Sequence, residues 1–356
     1  MRTLSQDLKQ LWRAKATFKV AACYLLLFVL LVVLLPVLPV SYSPNELDLA
    51  YTFASPLTKG TSGWHWLGTD GLGRDVWSNI LHGARSALFV SLPVMLFATA
   101  LGLAIGISGG YFGDKGLKVS RASFMVSFVA LLAILYYGVY LPLNLLKLGL
   151  PFGWQVLALL FILLPALYLF ILPLLKRWRF AAASFSFPLD YLALRFTEAF
   201  TSVPRLLLIL ALASFMRPSV LLLSGVFVAT FWTSFARLAR AETLKIKELP
   251  YFEAAQSLGV PQLRLLTRHI LPGMLGPIVV TFTFSLAGLM TLESTLSFLG
   301  IGVPGTFVSW GRIISGIRSN TSAWWLVVFP GLALATTVWA LQTISYHFLN
   351  HFEERK

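Results

Sequence analysis

Few charged residues in this sequence have a type and spacing that could form an ion-paired cluster or a solute-binding site. Two groups of residues are candidates. Asp70, Arg74 and Asp75 lie close together, so we expect the two carboxylates to pair with the guanidinium between them. Glu293 falls near the end of a long apolar run, where a carboxylate is costly unless it meets a partner or water. Glu293 and Ser297 are therefore candidates to line a solute path. A buried structural hydrogen bond from Glu293 is an equally good interpretation.

The sequence predicts no catalytic residue, no metal site and no cofactor of its own. His347 and His351 are four residues apart and could share a metal, but two ligands are too few and no HExxH accompanies them. Cys23 is the single cysteine, which excludes an intrachain disulfide and a thiolate zinc site. The phosphate-binding pattern GxxxxGK[ST], a nucleophile elbow and a dinucleotide fingerprint are all missing from the sequence.

The composition indicates a polytopic membrane protein. Hydrophobic residues make up 57% of the 356 residues and charged residues only 12%, whereas soluble proteins carry about 25% charged residues. The formal net charge is +14, but the basic residues flank apolar runs and form no continuous basic face. We therefore expect a lipid membrane around the chain and no nucleic-acid partner. Basic residues within 1–17 predict a cytoplasmic N-terminus.

Eight apolar runs are long enough to cross about 30 Å of hydrocarbon as helices. An even number of spans places the C-terminus in the cytoplasm as well, and the polar residues between the first two runs outside. Gly102, Gly106 and Gly110 recur every fourth residue in the second run and predict a face that another helix can approach closely. The predicted spans cover residues 18–40, 86–112, 122–142, 153–175, 194–216, 219–238, 271–300 and 322–347.

A polar stretch, residues 249–273, separates two of these runs and predicts two short helices joined by a glycine turn. Pro250 suits the first helical position, and Glu253 then lies in the first turn, where a negative charge favours the helix dipole. Gly259 suits the left-handed position that ends a helix, and Pro261 can start the next one. Helical spacing predicts two apolar faces: Phe252, Ala254, Ala255, Leu258 and Gly259 in the first helix, and Leu263, Leu266 and Ile270 in the second.

Two motifs in this order resemble one family. Glu253-Ala254-Ala255, Gly259 and Ile270-Leu271-Pro272 resemble the EAA loop of ATP-binding cassette (ABC) importer permeases. The segment HWLGTD from His65, with GRDV from Gly73, resembles the C-type subunit of dipeptide/oligopeptide importer permeases. The resemblance implies an all-α polytopic protein with the type I ABC importer fold. Six core spans would carry two inserted ones within 117–188, a departure from the family pattern.

The resemblance also implies partners and site residues. The partners are a B-type permease, two ABC ATPases that hold ATP and Mg, an external substrate-binding protein and a peptide substrate, in a bacterial inner membrane. Transport would proceed by alternating access. The implied external contacts to the binding protein are Thr69, Asp70, Arg74 and Asp75. The implied ATPase-coupling residues are Glu253, Ala254, Ala255, Leu258, Gly259, Arg264, Ile270, Leu271 and Pro272.

The predicted organisation has an N-terminal segment with the first span (1–45), an external loop (46–85) and a permease domain (86–350). The permease domain includes the inserted hairpin (117–188) and the cytoplasmic EAA loop (241–272). A nickel or other small-solute importer of the same family is an open alternative. An ion-driven secondary transporter would require buried charges and broken helices in symmetric halves, which Glu293 alone does not provide. A membrane enzyme would require a nucleophile or base constellation, which the sequence lacks.

Overall fold

A computed structural model describes residues 12, 15–147 and 154–353 of the chain. Most basic residues of the N-terminal segment, residues 148–153 around the start of the predicted span 153–175, and the last three residues lie outside the described ranges. Helices dominate the described part: α1 (Ala16–Leu34), α2 (Val76–Phe112), α3 (Arg121–Ala133), α4 (Leu141–Lys147), α5 (Trp154–Ala166), α6 (Leu172–Lys176), α7 (Arg179–Ala182), α8 (Leu189–Thr201), α9 (Arg205–Ser214), α10 (Val220–Lys247), α11 (Pro250–Ser257), α12 (Gln262–Leu265), α13 (Leu271–Gly273), α14 (Leu275–Leu299), α15 (Trp310–Ser315) and α16 (Trp325–Glu353).

Three of the helices continue through π-helical turns, in which the backbone is wider than in an α-helix. These turns join α3 to α4, α5 to α6, and α12 to α13; they span Ile134–Tyr140, Leu167–Ile171 and Leu266–Ile270. The described residues also form two short 3-10 helices, Leu49–Tyr51 and Gly316–Arg318, and two antiparallel ribbons. Strands β1 (Thr58–Lys59) and β2 (Trp64–His65) form one, and β3 (Lys118–Ser120) and β4 (Ser184–Ser186) form the other.

Within the described residues, seven helices are long and apolar enough to cross a membrane, or eight if a bent pair counts as one span. The predicted span over 194–216 is not one continuous helix, since α8 and α9 meet at an angle of 80°. Pro204 lies at the break, and it both lacks an N–H and disfavours helix in the residue before it. The last ten residues of the predicted external loop, 76–85, are helical, because α2 already begins at Val76.

The chain divides into two compact units, Met1–Gly110 with Ala193–Lys356, and Tyr111–Leu192. The second unit contains the predicted hairpin and has a small core of its own, formed by Val126, Ala130 and Leu167. Its β3–β4 ribbon, in which Val119 pairs with Phe185, joins the two ends of the hairpin. This ribbon was not predicted from the sequence.

In the first unit, the glycine stripe of α2 packs against α10, as predicted. A Cβ on Gly102 would lie 2.5 Å from the carbonyl oxygen of Trp232, and one on Gly106 would lie 2.3 Å from that of Ala236. Beside this contact, the fully buried rings of Phe227, Phe231 and Phe235 form one face of α10. Close van der Waals packing of this kind holds helices together where no water is available to drive association.

Candidate functional site

The EAA loop folds as two short helices with a glycine turn, which confirms the sequence prediction. Leu249 is extended, Pro250 begins α11, and Glu253 lies in its first turn. Gly259 adopts φ +72°, in the left-handed region that favours glycine. The N–H of Gly259 donates to the carbonyl of Gln256, and the N–H of Val260 donates to that of Ala255. This is the Schellman pattern that ends a helix at a glycine.

The predicted apolar faces of the loop were partly wrong. Phe252 and Leu258 were predicted on the same face of the first helix, but Phe252 is buried with 1% exposure and Leu258 is 84% exposed. In the second helix Leu263 is 73% exposed, whereas Leu265 and Ile270 are buried. The π turn after Leu265 changes the angular position of the residues that follow, which simple helical spacing does not anticipate.

Some of the predicted coupling residues are exposed, and others are buried and attach the loop to the rest of the protein. Ile270 is fully buried, and Ala255 and Pro272 are half-buried. The predicted coupling residues that are exposed at the protein surface are Glu253, Ala254, Leu258, Gly259, Arg264 and Leu271. The loop is thus a supported, exposed surface that mixes apolar and charged groups, which is a suitable docking surface for another protein.

His269 contributes to this arrangement, although it was not among the site residues predicted from the sequence. Its ring centroid lies 6.1 Å from that of Tyr251 and 6.5 Å from that of Phe252, so it links the two short helices. Helical periodicity could not have identified this contact, because the turn at Gly259 sets the angle between the helices.

In the segment that precedes α2, the expected pairing of Arg74 with Asp70 and Asp75 does not occur in the described structure. Oδ1 of Asp70 instead accepts the backbone N–H groups of Leu72 and Arg74 at 2.8 and 2.9 Å. Asp75 accepts the backbone N–H of Ser78 at 2.7 Å and so caps the first turn of α2. Both carboxylates therefore accept backbone N–H groups of the turn, and no ion pair with Arg74 is present within the described residues.

The partner of Asp75 is His65, which was not among the site residues predicted from the sequence. His65 Nδ1 lies 2.9 Å from Asp75 Oδ1, and His65 Nε2 lies 3.5 Å from Asp48 Oδ2. Burial raises the pKa of Asp75. Hydrogen bonding, chiefly from the Thr61 hydroxyl, lowers the pKa of Asp48.

Thr69 and Asp75 are buried, so neither offers a side chain to an external protein as the sequence interpretation supposed. The Thr69 hydroxyl donates to the carbonyl of Tyr51, and the Thr69 carbonyl accepts the indole N–H of Trp325 at 3.0 Å. Asp70 and Arg74 are half-buried and line a cleft at this side of the first unit.

Glu293 is buried in α14, with 3% exposure. Ser297 Oγ donates to Glu293 Oε1 at 2.7 Å, and Ser294 Oγ lies 3.5 Å from Oε2. These contacts satisfy the carboxylate locally and support the structural interpretation. A role for Glu293 and Ser297 in a solute path remains a prediction.

Comparison with known proteins places this geometry in a family. Residues 179–356, half of the chain, match the model described as "Binding-protein-dependent transport system inner membrane component". The chain belongs to this family. It is therefore a multi-pass inner membrane permease of the ABC importer type, and the EAA loop lies within the matched residues.

Similar proteins extend the likeness beyond the matched domain. The chain is 28% identical over 334 residues to a Brucella suis protein provisionally named a peptide transport system permease, covering 93% of this chain and 85% of that protein. It is 26% identical over 317 residues to a second Brucella suis protein, provisionally named a peptide permease, with coverages of 88% and 79%. It is 25% identical over 282 residues to the dipeptide transport system permease protein DppC of Bacillus subtilis, with coverages of 79% and 65%.

Proposed function

We propose that this chain is the C-type permease subunit of an ATP-driven importer for di- or oligopeptides. The family provides the importer class, and the names of the three relatives favour peptides as the solute. The observation that carries the proposal is the exposed, anchored EAA loop. It offers a docking surface for an ATPase in a chain that lacks a phosphate-binding motif of its own.

Two partner ATPases hold ATP and Mg, and their closure moves the EAA loop. The loop can pass this movement on because it is packed into the helix bundle. Phe252 and Ile270 are buried beneath it, and a Cβ on Gly273 would meet the Ile246 side chain of α10 at 2.9 Å. A displacement of α11 therefore acts on α10 and α14, and rocking of these helices would alternate access to the two sides of the membrane.

The remaining partners follow from the same assembly. A B-type permease completes the pore, and an external binding protein delivers the peptide to the side that carries β1 and β2. Both termini and the EAA loop lie in the cytoplasm. Asp70 and Arg74, which are half-buried, remain candidates for the external contact.

Co-purification of the ATPase with the tagged chain from membranes tests this proposal. Glu253→Lys and Leu258→Glu change exposed side chains of the loop, so we expect both variants to fold. Each should reduce the bound ATPase at least about tenfold, since loss of a central hot-spot contact costs about 2 kcal/mol or more.

Leu49→Glu is the matched control, because Leu49 is 67% exposed and lies in the external segment. It should leave the bound ATPase unchanged. Retention of the ATPase by both loop variants would show that the loop is not the main docking site. If no ATPase accompanies the unaltered chain, the proposal of an ATP-driven importer is wrong.

A further inference from the structure

A cleft of about 200 Å³ opens on the external side of the first unit, between the turn that precedes α2 and the region around α15. Its charged lining residues are Asp70, Arg74 and Arg312. Two guanidinium groups and one carboxylate leave this cleft with one net positive charge. The neutral polar side chain of Asn79 lines the same cleft.

The Arg74 guanidinium is the unexplained group in this cleft. Its Nε is buried and has no hydrogen-bond partner within the part of the chain that the structure describes. The two neighbouring carboxylates make other contacts: Asp70 Oδ1 accepts backbone N–H groups, and Asp75 binds His65 and the N–H of Ser78. A buried donor without a partner is destabilising unless a ligand satisfies it.

Arg312 is held in place from the opposite side of the cleft. Its Nη1 donates to the carbonyl oxygens of Pro304 and Phe307 at 3.2 and 3.3 Å. Burial and then the charge of Arg74 lower the pKa of Arg312, while Asp70 acts in the opposite direction. Two like charges are thus held near each other in a partly desolvated cleft, an arrangement that an anion would relieve.

We propose that this cleft binds the C-terminal carboxylate of a short peptide on the external side of the permease. A guanidinium presents a planar fork of donors that matches a carboxylate, and the cleft offers two of them. The single net charge suits a monovalent carboxylate, and the volume admits only the end of a peptide. This inference rests on the proposed peptide transport and adds the group by which the permease recognises its solute.

The test measures binding of small probes to the full-length chain in lipid nanodiscs, without binding protein or ATPase. The probes are alanyl-alanine with a free carboxylate, the same dipeptide as its C-terminal amide, acetate and acetamide. The free acid should bind at least about tenfold more tightly than the amide, because charged hydrogen bonds contribute about 1.5–3 kcal/mol. Acetate should displace the free acid, and acetamide should not.

Arg74→Gln should abolish the preference for the free acid over the amide. Arg74→Lys keeps the charge but loses the fork, so it should retain only part of that preference. Lys59→Gln is the matched control, because it removes an external positive charge from the exposed β1 strand, outside the cleft, and should leave the preference intact.

Equal binding of acid and amide to the unaltered chain would overturn the proposal, as would an unchanged preference in a folded Arg74→Gln variant. If that variant does not fold, displacement of the free-acid dipeptide from the unaltered chain tests the proposal. Displacement by acetamide as well as by acetate would then contradict recognition of a carboxylate. Binding of acetate without binding of the dipeptide would overturn the assignment to substrate. If the probes do not bind as expected but the ATPase still co-purifies with the chain, the importer proposal stands. The two results are independent because the binding assay contains no ATPase.

Discussion

At the scale of single residues, His65 organises the segment between α1 and α2. It is fully buried, contacts the carboxylates of Asp48 and Asp75, and stacks on the Tyr42 ring with centroids 4.3 Å apart. The two carboxylates come from before the β1–β2 ribbon and from the start of α2. One imidazole therefore ties together parts of the chain that would otherwise be separate loops.

The opposite pKa shifts of the two carboxylates predict how this cluster responds to acid. The pKa of Asp48 is lowered, so its contribution to stability is present above its unfolded value of 3.8 and is lost as the pH falls through the folded value. The pKa of Asp75 is raised, so its ionisation costs stability at neutral pH, and that cost disappears on acidification. Asp48→Asn should therefore flatten the loss of thermal stability below about pH 4.

Thermal melting of the purified chain against pH measures this effect. Glu46→Gln is the matched control, because Glu46 is an exposed carboxylate of the same segment. It should keep the acid-side loss of the unaltered chain. An equally steep loss in Asp48→Asn would show that the Asp48 carboxylate does not stabilise the folded segment.

At the scale of elements, the glycine stripe of α2 sets the distance between two helices. Gly102 and Gly106 are buried and lie directly on the backbone of α10. Because backbone carbonyls cannot move aside as a flexible side chain can, even a methyl group forces the helices apart.

Gly106→Ala should lower the melting temperature of the purified chain, because a Cβ 2.3 Å from the Ala236 carbonyl oxygen overpacks this contact. Overpacking of this kind typically costs about 1–3 kcal/mol. Gly288→Ala in α14 is the matched control, since a Cβ there meets nothing within 4 Å and alanine favours helix. It should be neutral or stabilising in the isolated chain. Equal melting temperatures for both variants would contradict the close contact.

At the scale of the whole molecule, the proposed topology puts the β1–β2 side of the first unit and the EAA loop on opposite faces of the membrane. Leu49 and Leu258 are both strongly exposed and mark these two positions. Cys23 is the only cysteine, so a Cys23→Ser chain offers a clean background for single-cysteine labelling.

Labelling of intact cells with a membrane-impermeant maleimide tests the topology. Leu49→Cys should be labelled from outside. Leu258→Cys should be labelled only after the membrane is permeabilised, which also serves as the control for its reactivity. Labelling of Leu258→Cys in intact cells would place the EAA loop outside and contradict the proposed coupling.

The sequence by itself determined the membrane class, most of the spans and the helix–turn–helix form of the EAA loop. These features depend on local signals: apolar length, proline at a helix start and glycine at a left-handed turn. Only the tertiary structure decided that Asp75 pairs with His65 instead of Arg74, that α8 and α9 are bent, and which loop residues are exposed. The physical reason is that these outcomes depend on packing between distant segments, as in the hydrogen bond from Trp325 to Thr69. Spacing along the chain carries no information about which of several nearby partners such packing selects.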